Sequence, residues 1–164
     1  MAIRIVREKG ESVLNEQSRP VKRFDTGLAA LVEDMFETME QYNGIGLAAP
    51  QIGIPKQLLV IDTQVEGQRL AMINPVIINT DGTEIDIEGC LSIPGVFGEV
   101  KRSRQVTVRY QDVTGEAHEI TAESLFARAI QHEFDHLCGR LFDEIAIRFV
   151  PLEELEQDED AEDA

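Results

Sequence analysis

His132-Glu133-Phe134-Asp135-His136 is an H-E-x-x-H pattern within a stretch of helical spacing. Residues four apart share one helical face, so both imidazoles can reach one metal ion. Glu133 stands beside them, where it can serve as base toward water at that ion. Only three of the five positions are fixed, so the same text also occurs as a histidine pair in an ordinary core helix. A catalytic centre of this kind uses three protein ligands and one open position. The third ligand has several candidates. The longer metalloprotease pattern H-E-x-x-H-x-x-G-x-x-H holds through Gly139 and fails at Phe142. Glu156 lies at a workable distance, but in an acidic stretch with little apolar sequence to fix it. Cys90 stands in Glu88-Gly89-Cys90-Leu91-Ser92, ahead of Pro94-Gly95, where backbone can approach an ion closely. A thiolate suits a soft or borderline ion, although a lone cysteine is more often simply buried. Cys138 falls roughly on the other side of the helix from His136 and is expected to be a small buried or half-buried residue. His118 sits in a polar strand and receives no role.

A further segment, Gly44-Ile45-Gly46-Leu47-Ala48-Ala49-Pro50-Gln51, carries small residues that allow close backbone packing. Gln51 follows an apolar run, where its amide needs a partner. The plainer reading is a helix end and a tight connection with Gln51 exposed. The G-x-G is too short for a nucleotide fingerprint, and no strand precedes it.

These residues must be held by regular elements. Leu28, Leu31, Val32, Met35, Phe36 and Met39 form one apolar stripe at helical spacing, capped by Asp25 or Thr26 and ended by Asn43-Gly44. A second helix is predicted from about Ser124 to Cys138, stopped by Gly139. Between them lie short strand patterns at Gln57–Asp62, Arg69–Ile73, Val76–Asn79, Thr83–Ile87, Val100–Arg102, Val106–Gln111 and Ala117–Thr121. Pro75 is expected to separate the second from the third. Val106, Val108 and Tyr110 alternate with Thr107 and Arg109, a half-buried pattern. Asp81-Gly82 and Thr114-Gly115 suggest hairpins. A helix, a block of strands and a second helix imply an α+β fold.

The chain has 164 residues, the size of one domain, with a core within reach. Residues 1–150 are expected to form a single catalytic domain and 151–164 an acidic tail, with eight acids and no base after Pro151. A helical turn at Leu152–Leu155 is expected to begin it. The 43% hydrophobic content excludes a disordered chain, and the net charge of −16 disfavours nucleic acid and anionic membranes as partners. Two cysteines make no disulfide framework. Met1–Leu14 is charged throughout and reads as no secretory signal, and no stretch approaches a membrane span. A soluble protein of a reducing compartment is the expectation.

Taken together, GIGLAAPQ (Gly44–Gln51), EGCLS (Glu88–Ser92) and HEFDH (His132–His136) resemble the three motifs of peptide deformylases, G-x-G-x-A-A-x-Q, E-G-C-L-S and H-E-x-D-H, in order and at similar spacing. The resemblance spans roughly residues 3 to 148. It implies antiparallel sheets packed around a central metal-bearing helix. It implies a divalent ion held by Cys90, His132 and His136 with water in the fourth position: Fe2+ in the cell, with Zn2+, Ni2+ or Co2+ able to occupy the site. The implied reaction removes the N-formyl group from formyl-methionine at the start of new proteins and releases formate. Glu133 would be general base and then acid, and the Gln51 amide and Leu91 backbone N–H would be the oxyanion donors. Gly46 would contact substrate through its backbone. Ile45, Leu125 and Ala129 are expected to line a methionine pocket, with Phe97 and the stem of Arg128 as weaker candidates. Glu88 and Arg102 are expected to pair structurally. The partners implied are formyl-methionyl nascent chains near the ribosome, with no direct nucleic-acid or membrane contact, for a monomer in a bacterial-type cytoplasm or an organelle.

The C-terminus departs from the family, whose members often continue into a longer, basic helix. The acidic run would oppose approach to a polyanionic ribosome and is expected to be dispensable for small formyl-peptides. Two other readings compete. One is a zinc endopeptidase using His132, His136 and Glu156. The other is an inactive relative, a metal-stabilised binding module, which would need neither Glu133 nor Gln51.

Overall fold

The chain is described from a computed structural model, over residues 2–155. The apolar stripe forms helix α1, Thr26–Gln41, and the Asp25 side chain caps it by accepting from the Leu28 N–H at 3.0 Å. Leu28, Val32, Met35 and Met39 are buried, the turn-by-turn members of one face. The chain then lays down β1 (Gly46–Ala48), β2 (Leu58–Asp62), β3 (Arg69–Asp81), β4 (Glu84–Cys90), β5 (Ile93–Arg102), β6 (Gln105–Gln111) and β7 (Ala117–Glu123). Helix α2 follows over Ser124–Leu137, then β8 (Arg148–Phe149). All strand pairing within the sheets is antiparallel. One sheet runs β1-β2-β3-β6-β7, the other β4-β5-β8. The α+β expectation holds.

The text of β2, Leu-Leu-Val-Ile, is continuously apolar because both of its faces are covered. Leu59 and Ile61 pack with Phe126, Ala127 and Ile130 of α2. Leu58 and Val60 pack with Leu28, Val32 and Met35 of α1. The larger sheet therefore lies between the helices. A third cluster, with Val100, Leu141, Phe142 and Leu14, supports the smaller sheet. The alternation in β6 is as read: Val106, Val108 and Tyr110 are buried, Arg109 exposed.

Several sequence expectations need correction. Pro75 does not divide two strands, because β3 runs through it. The register with β6 shifts between Ile73 and Val76, so the missing proline N–H falls at a bulge and costs no ladder bond. Asn74 adopts φ 52° there, and its side chain bonds the Val21 N–H, the Val21 carbonyl and Gln111. Asp81-Gly82 is no hairpin: β3 and β4 belong to different sheets, and the turn carries the chain between them. Thr114-Gly115 does join β6 to β7. The two-residue turn at Leu91-Ser92, joining β4 to β5, went unread, as did the short strands β1 and β8. Cys138 is exposed, since it caps the end of α2 beyond the last buried residue, Leu137. The turn at Leu152–Leu155 is helical, whereas Glu156 and the rest of the acidic run lie outside the described residues.

Ahead of α1 lies one short 3-10 helix, Ser12–Asn15, and residues 2–11 before it, although neither helix nor strand, are tied down along their length. The Arg4 N–H donates to Thr38 Oγ1 at 2.8 Å, and its guanidinium grips Asp34. The Arg7 N–H donates to the Gln51 carbonyl at 2.6 Å, and the Lys9 N–H to the Ser92 carbonyl at 2.8 Å. The Lys9 ammonium then pairs with Asp143.

Gly139 ends α2 at φ +76°, and a Cβ there would stand 2.7 Å from the Asn15 carbonyl oxygen. Gly139→Ala is expected to destabilise by about 2 kcal/mol or more, from left-handed strain plus the clash, as read by urea denaturation.

Candidate active site

Helix α2 runs through the middle of the molecule and presents His132, Glu133 and His136 from its inner side. Strand β4 brings Cys90 to them. Cys90 Sγ lies 3.4 Å from His136 Nε2, and one ligand atom from each of Cys90, His132 and His136 falls within 4.8 Å of the others. Residue spacing alone left the third ligand open, the family resemblance implied Cys90, and the fold brings Cys90 to the two histidines. The ring of Phe142, the residue that breaks the longer metalloprotease pattern, stacks on His132 with centroids 6.0 Å apart.

The histidines are held by a charged network. Glu88, two residues before Cys90, is buried and accepts from four donors. Arg102 Nε and Nη2 reach it at 2.9 Å each, Arg128 Nη1 at 2.6 Å, and His132 Nδ1 lies 2.8 Å away. Its Nδ1 so engaged, His132 turns Nε2 toward the centre. Arg102 also reaches Asp135 at 2.5 Å, inside the HEFDH text. Burial alone would raise the Glu88 carboxyl, but Arg102 and His132 outweigh it and hold the group well below the usual carboxylate range.

Among the protein groups alone, burial disfavours charge on His132, yet Cys90 and Glu88 overcome this and raise it to about 10. Burial, then the neighbouring His132, pushes His136 well below its ordinary value. The S, N, N donor set of Cys90, His132 and His136 suits a borderline divalent ion. Glu133 is buried, and burial pushes its carboxyl up to about 7. Glu133 Oε2 and His136 Nδ1 have no hydrogen-bond partner among the described residues. Cys90, His132 and His136 fit an ion, and the orphaned Glu133 oxygen fits a proton carrier beside it.

The first segment closes the site from the other side. Gly46, in β1, passes so near α2 that a Cβ there would stand 2.9 Å from Glu133 Cγ. Gln51 is 1% exposed, against the plainer reading of an exposed amide. Its Oε1 accepts from the Ala48 N–H at 2.9 Å, which turns Nε2 toward Ser92 Oγ at 3.1 Å and Cys90 Sγ at 3.5 Å. Leu91 follows Cys90 in the turn. A cleft of about 640 Å3 opens over these groups. Ile45, Gly46, Leu125, Ala129, Phe97 and Arg128 all line it. Leu125 sits at its rim, half exposed.

Val6, Glu8 and Ile87 also line the cleft and were not singled out from the sequence. The first two lie in a segment without periodicity, so only the folded chain brings them there. Arg128 was legible only as an aliphatic stem. Its guanidinium also bonds the Val100 and Glu84 carbonyls, and a charge on an inner helix face was the available signal. His118, given no role, lies 2.7 Å from Asp112 and stacks on Tyr110.

Glu88→Gln would leave Arg102 and Arg128 short of a buried countercharge, an expected loss of about 3–5 kcal/mol at pH 7. The Glu88 carboxyl lies below its ordinary 4.5 in the folded chain. Its stabilisation is therefore complete above that value and lost as pH falls through the folded one. Urea denaturation should find the gap between wild type and variant widest near neutrality and narrowing below about pH 4.5.

Residues 3–148 match the family model for polypeptide deformylase. A peptide deformylase of Caldanaerobacter subterraneus subsp. tengcongensis is 51% identical over 156 residues, 95% of this chain and 97% of that relative. The crystal structure of the Thermotoga maritima peptide deformylase superposes with a TM-score of 0.86 at 42% identity, covering 90% of this chain and all of that one. A Synechococcus elongatus peptide deformylase, solved in complex with actinonin, gives 0.83 at 45% identity, covering 92% and 81%.

Proposed function

The chain belongs to the polypeptide deformylase family, and on that premise we propose residue roles for the cleft over Cys90, His132 and His136. It is a hydrolase, and its reaction is the metal-dependent removal of the N-formyl group from nascent peptides. Cys90, His132 and His136 hold the ion, which in the cell is Fe2+, with Zn2+, Ni2+ and Co2+ able to replace it. The observation that carries this assignment is the convergence of the three ligand atoms within 4.8 Å, with the buried Glu133 beside them. When bound, the ion supplies Lewis acidity and lowers the pKa of water.

The remaining work falls to this chain's own groups. Glu133 takes the water proton and delivers it to the leaving amine. Its carboxyl, raised to about 7 by burial, suits a group that must both take and give a proton near neutrality. Gln51 Nε2 and the Leu91 N–H donate to the oxyanion that forms as the formyl carbon becomes tetrahedral. Gly46 leaves room for the substrate backbone, and Ile45, Leu125 and Ala129 receive the methionine side chain. Residues 1–150 act as one catalytic domain. The enzyme works as a monomer on formyl-methionyl chains close to the ribosome, in a bacterial-type cytoplasm. Among the described residues no helix is long and apolar enough to cross a membrane.

The test is formate release from a short formyl-Met peptide by anaerobically prepared Fe2+ or Ni2+ protein. Glu133→Ala should keep the ion and lose about 10²- to 10⁴-fold in kcat. Gln51→Ala should lose about 10²- to 10³-fold. A folded, metal-loaded wild type that releases no formate would overturn the reading.

A further inference from the structure

The two oxyanion donors stand on different parts of the fold. Gln51 lies in the 3-10 turn Ala49–Ile52, which follows β1 of the larger sheet. Leu91 lies in the turn between β4 and β5 of the smaller one. Donors aimed at one small anion must keep a fixed separation, and a displacement of an ångström is costly in rate. Side-chain bonds from Gln51 Nε2 to Ser92 Oγ and to Cys90 Sγ, the residues on either side of Leu91, link them directly. A further link is the N-terminal segment. Within three residues it donates the Arg7 N–H to the carbonyl of Gln51 and the Lys9 N–H to the carbonyl of Ser92. One bond grips the donor-bearing residue itself, the other the residue next to Leu91. The segment is anchored on both sides, by Arg4 on Asp34 and Thr38 and by the Lys9 ammonium on Asp143. Val6 and Glu8 line the same cleft.

We propose that residues 6–9 set the spacing of the two oxyanion donors through the backbone N–H groups of Arg7 and Lys9. These are positioning residues: they act through Gln51 and Leu91, and the inference rests on the donor roles proposed for that pair. A proline at position 9 deletes the N–H that reaches Ser92, whereas Lys9→Ala keeps it and removes only the ammonium.

Both variants are compared, metal-loaded, in formate release from a formyl-Met peptide, at a temperature where circular dichroism finds each folded. The expected result is a kcat about tenfold lower in Lys9→Pro than in Lys9→Ala, with KM differing by less than about twofold. A segment that merely stabilised the fold would lower the melting temperature and leave that kcat ratio at one, which would overturn the inference. If Lys9→Pro does not fold, amide hydrogen exchange on the wild type decides. Protected amides at Arg7 and Lys9 support the proposal, and free exchange at both overturns it. Formate release by the wild type with no difference between the variants removes this inference alone. A wild type that releases none removes the deformylase reading and this inference with it.

Discussion

Four donors converge on the Glu88 carboxylate, and the cluster joins three elements: β4 supplies the acid, β5 supplies Arg102, and α2 supplies Arg128 and His132. A buried ion network of this kind contributes little net stability, because desolvation offsets much of the attraction. Its physical value lies in register. With the charges out of water, any slip of strand against helix leaves one of them unpaired. Cys90 follows Glu88 by two residues along β4. His132 follows Arg128 by one helical turn, and His136 follows by another. Fixing the strand to the helix at Glu88 therefore fixes where the sulfur and both imidazoles meet.

Around that fixed point the fold removes water and leaves proton chemistry exposed to one cleft. Glu133 is held against β1 at a place where only a glycine, Gly46, leaves enough room. Gln51 is buried and aimed by the bond its Oε1 accepts from the Ala48 N–H. The aromatic ring of Phe142 covers His132. Each contact is ordinary alone. Jointly they keep water from a carboxyl that burial raises to about 7 beside the ligand cluster, the setting that acid–base work requires.

Much of this was legible in the text because the chemistry is local there. Both histidines and Glu133 share one helical turn, Cys90 and Glu88 share one strand, and the α1 stripe repeats from Leu28 to Met39. The Gln51 segment was legible by its motif, although its burial depended on Ser92 and Cys90 from another sheet. Pairings across the fold were not legible. Asp81-Gly82 reads as a hairpin because turn chemistry reports a change of direction and is silent about which strands then pair. Pro75 reads as a break because its missing N–H matters only where a ladder bond is due, and the bulge at Asn74 lies in no local pattern. The N-terminal segment bonds through backbone groups, which every sequence carries, so residue types could not reveal it.

The distances along the chain between these partners have a temporal meaning. Cys90 and His136 are 46 residues apart, and Lys9 and Asp143 are 134 apart. A chain leaving a ribosome folds from its N-terminus as length permits. The sheet edge that carries Cys90 emerges well before the helix that completes the ligand set. Lys9 must likewise wait for Asp143 to be made before its ammonium is anchored. The centre is therefore assembled only once the helix has been made, and until then a nascent copy holds its cysteine without the histidines that would share an ion with it.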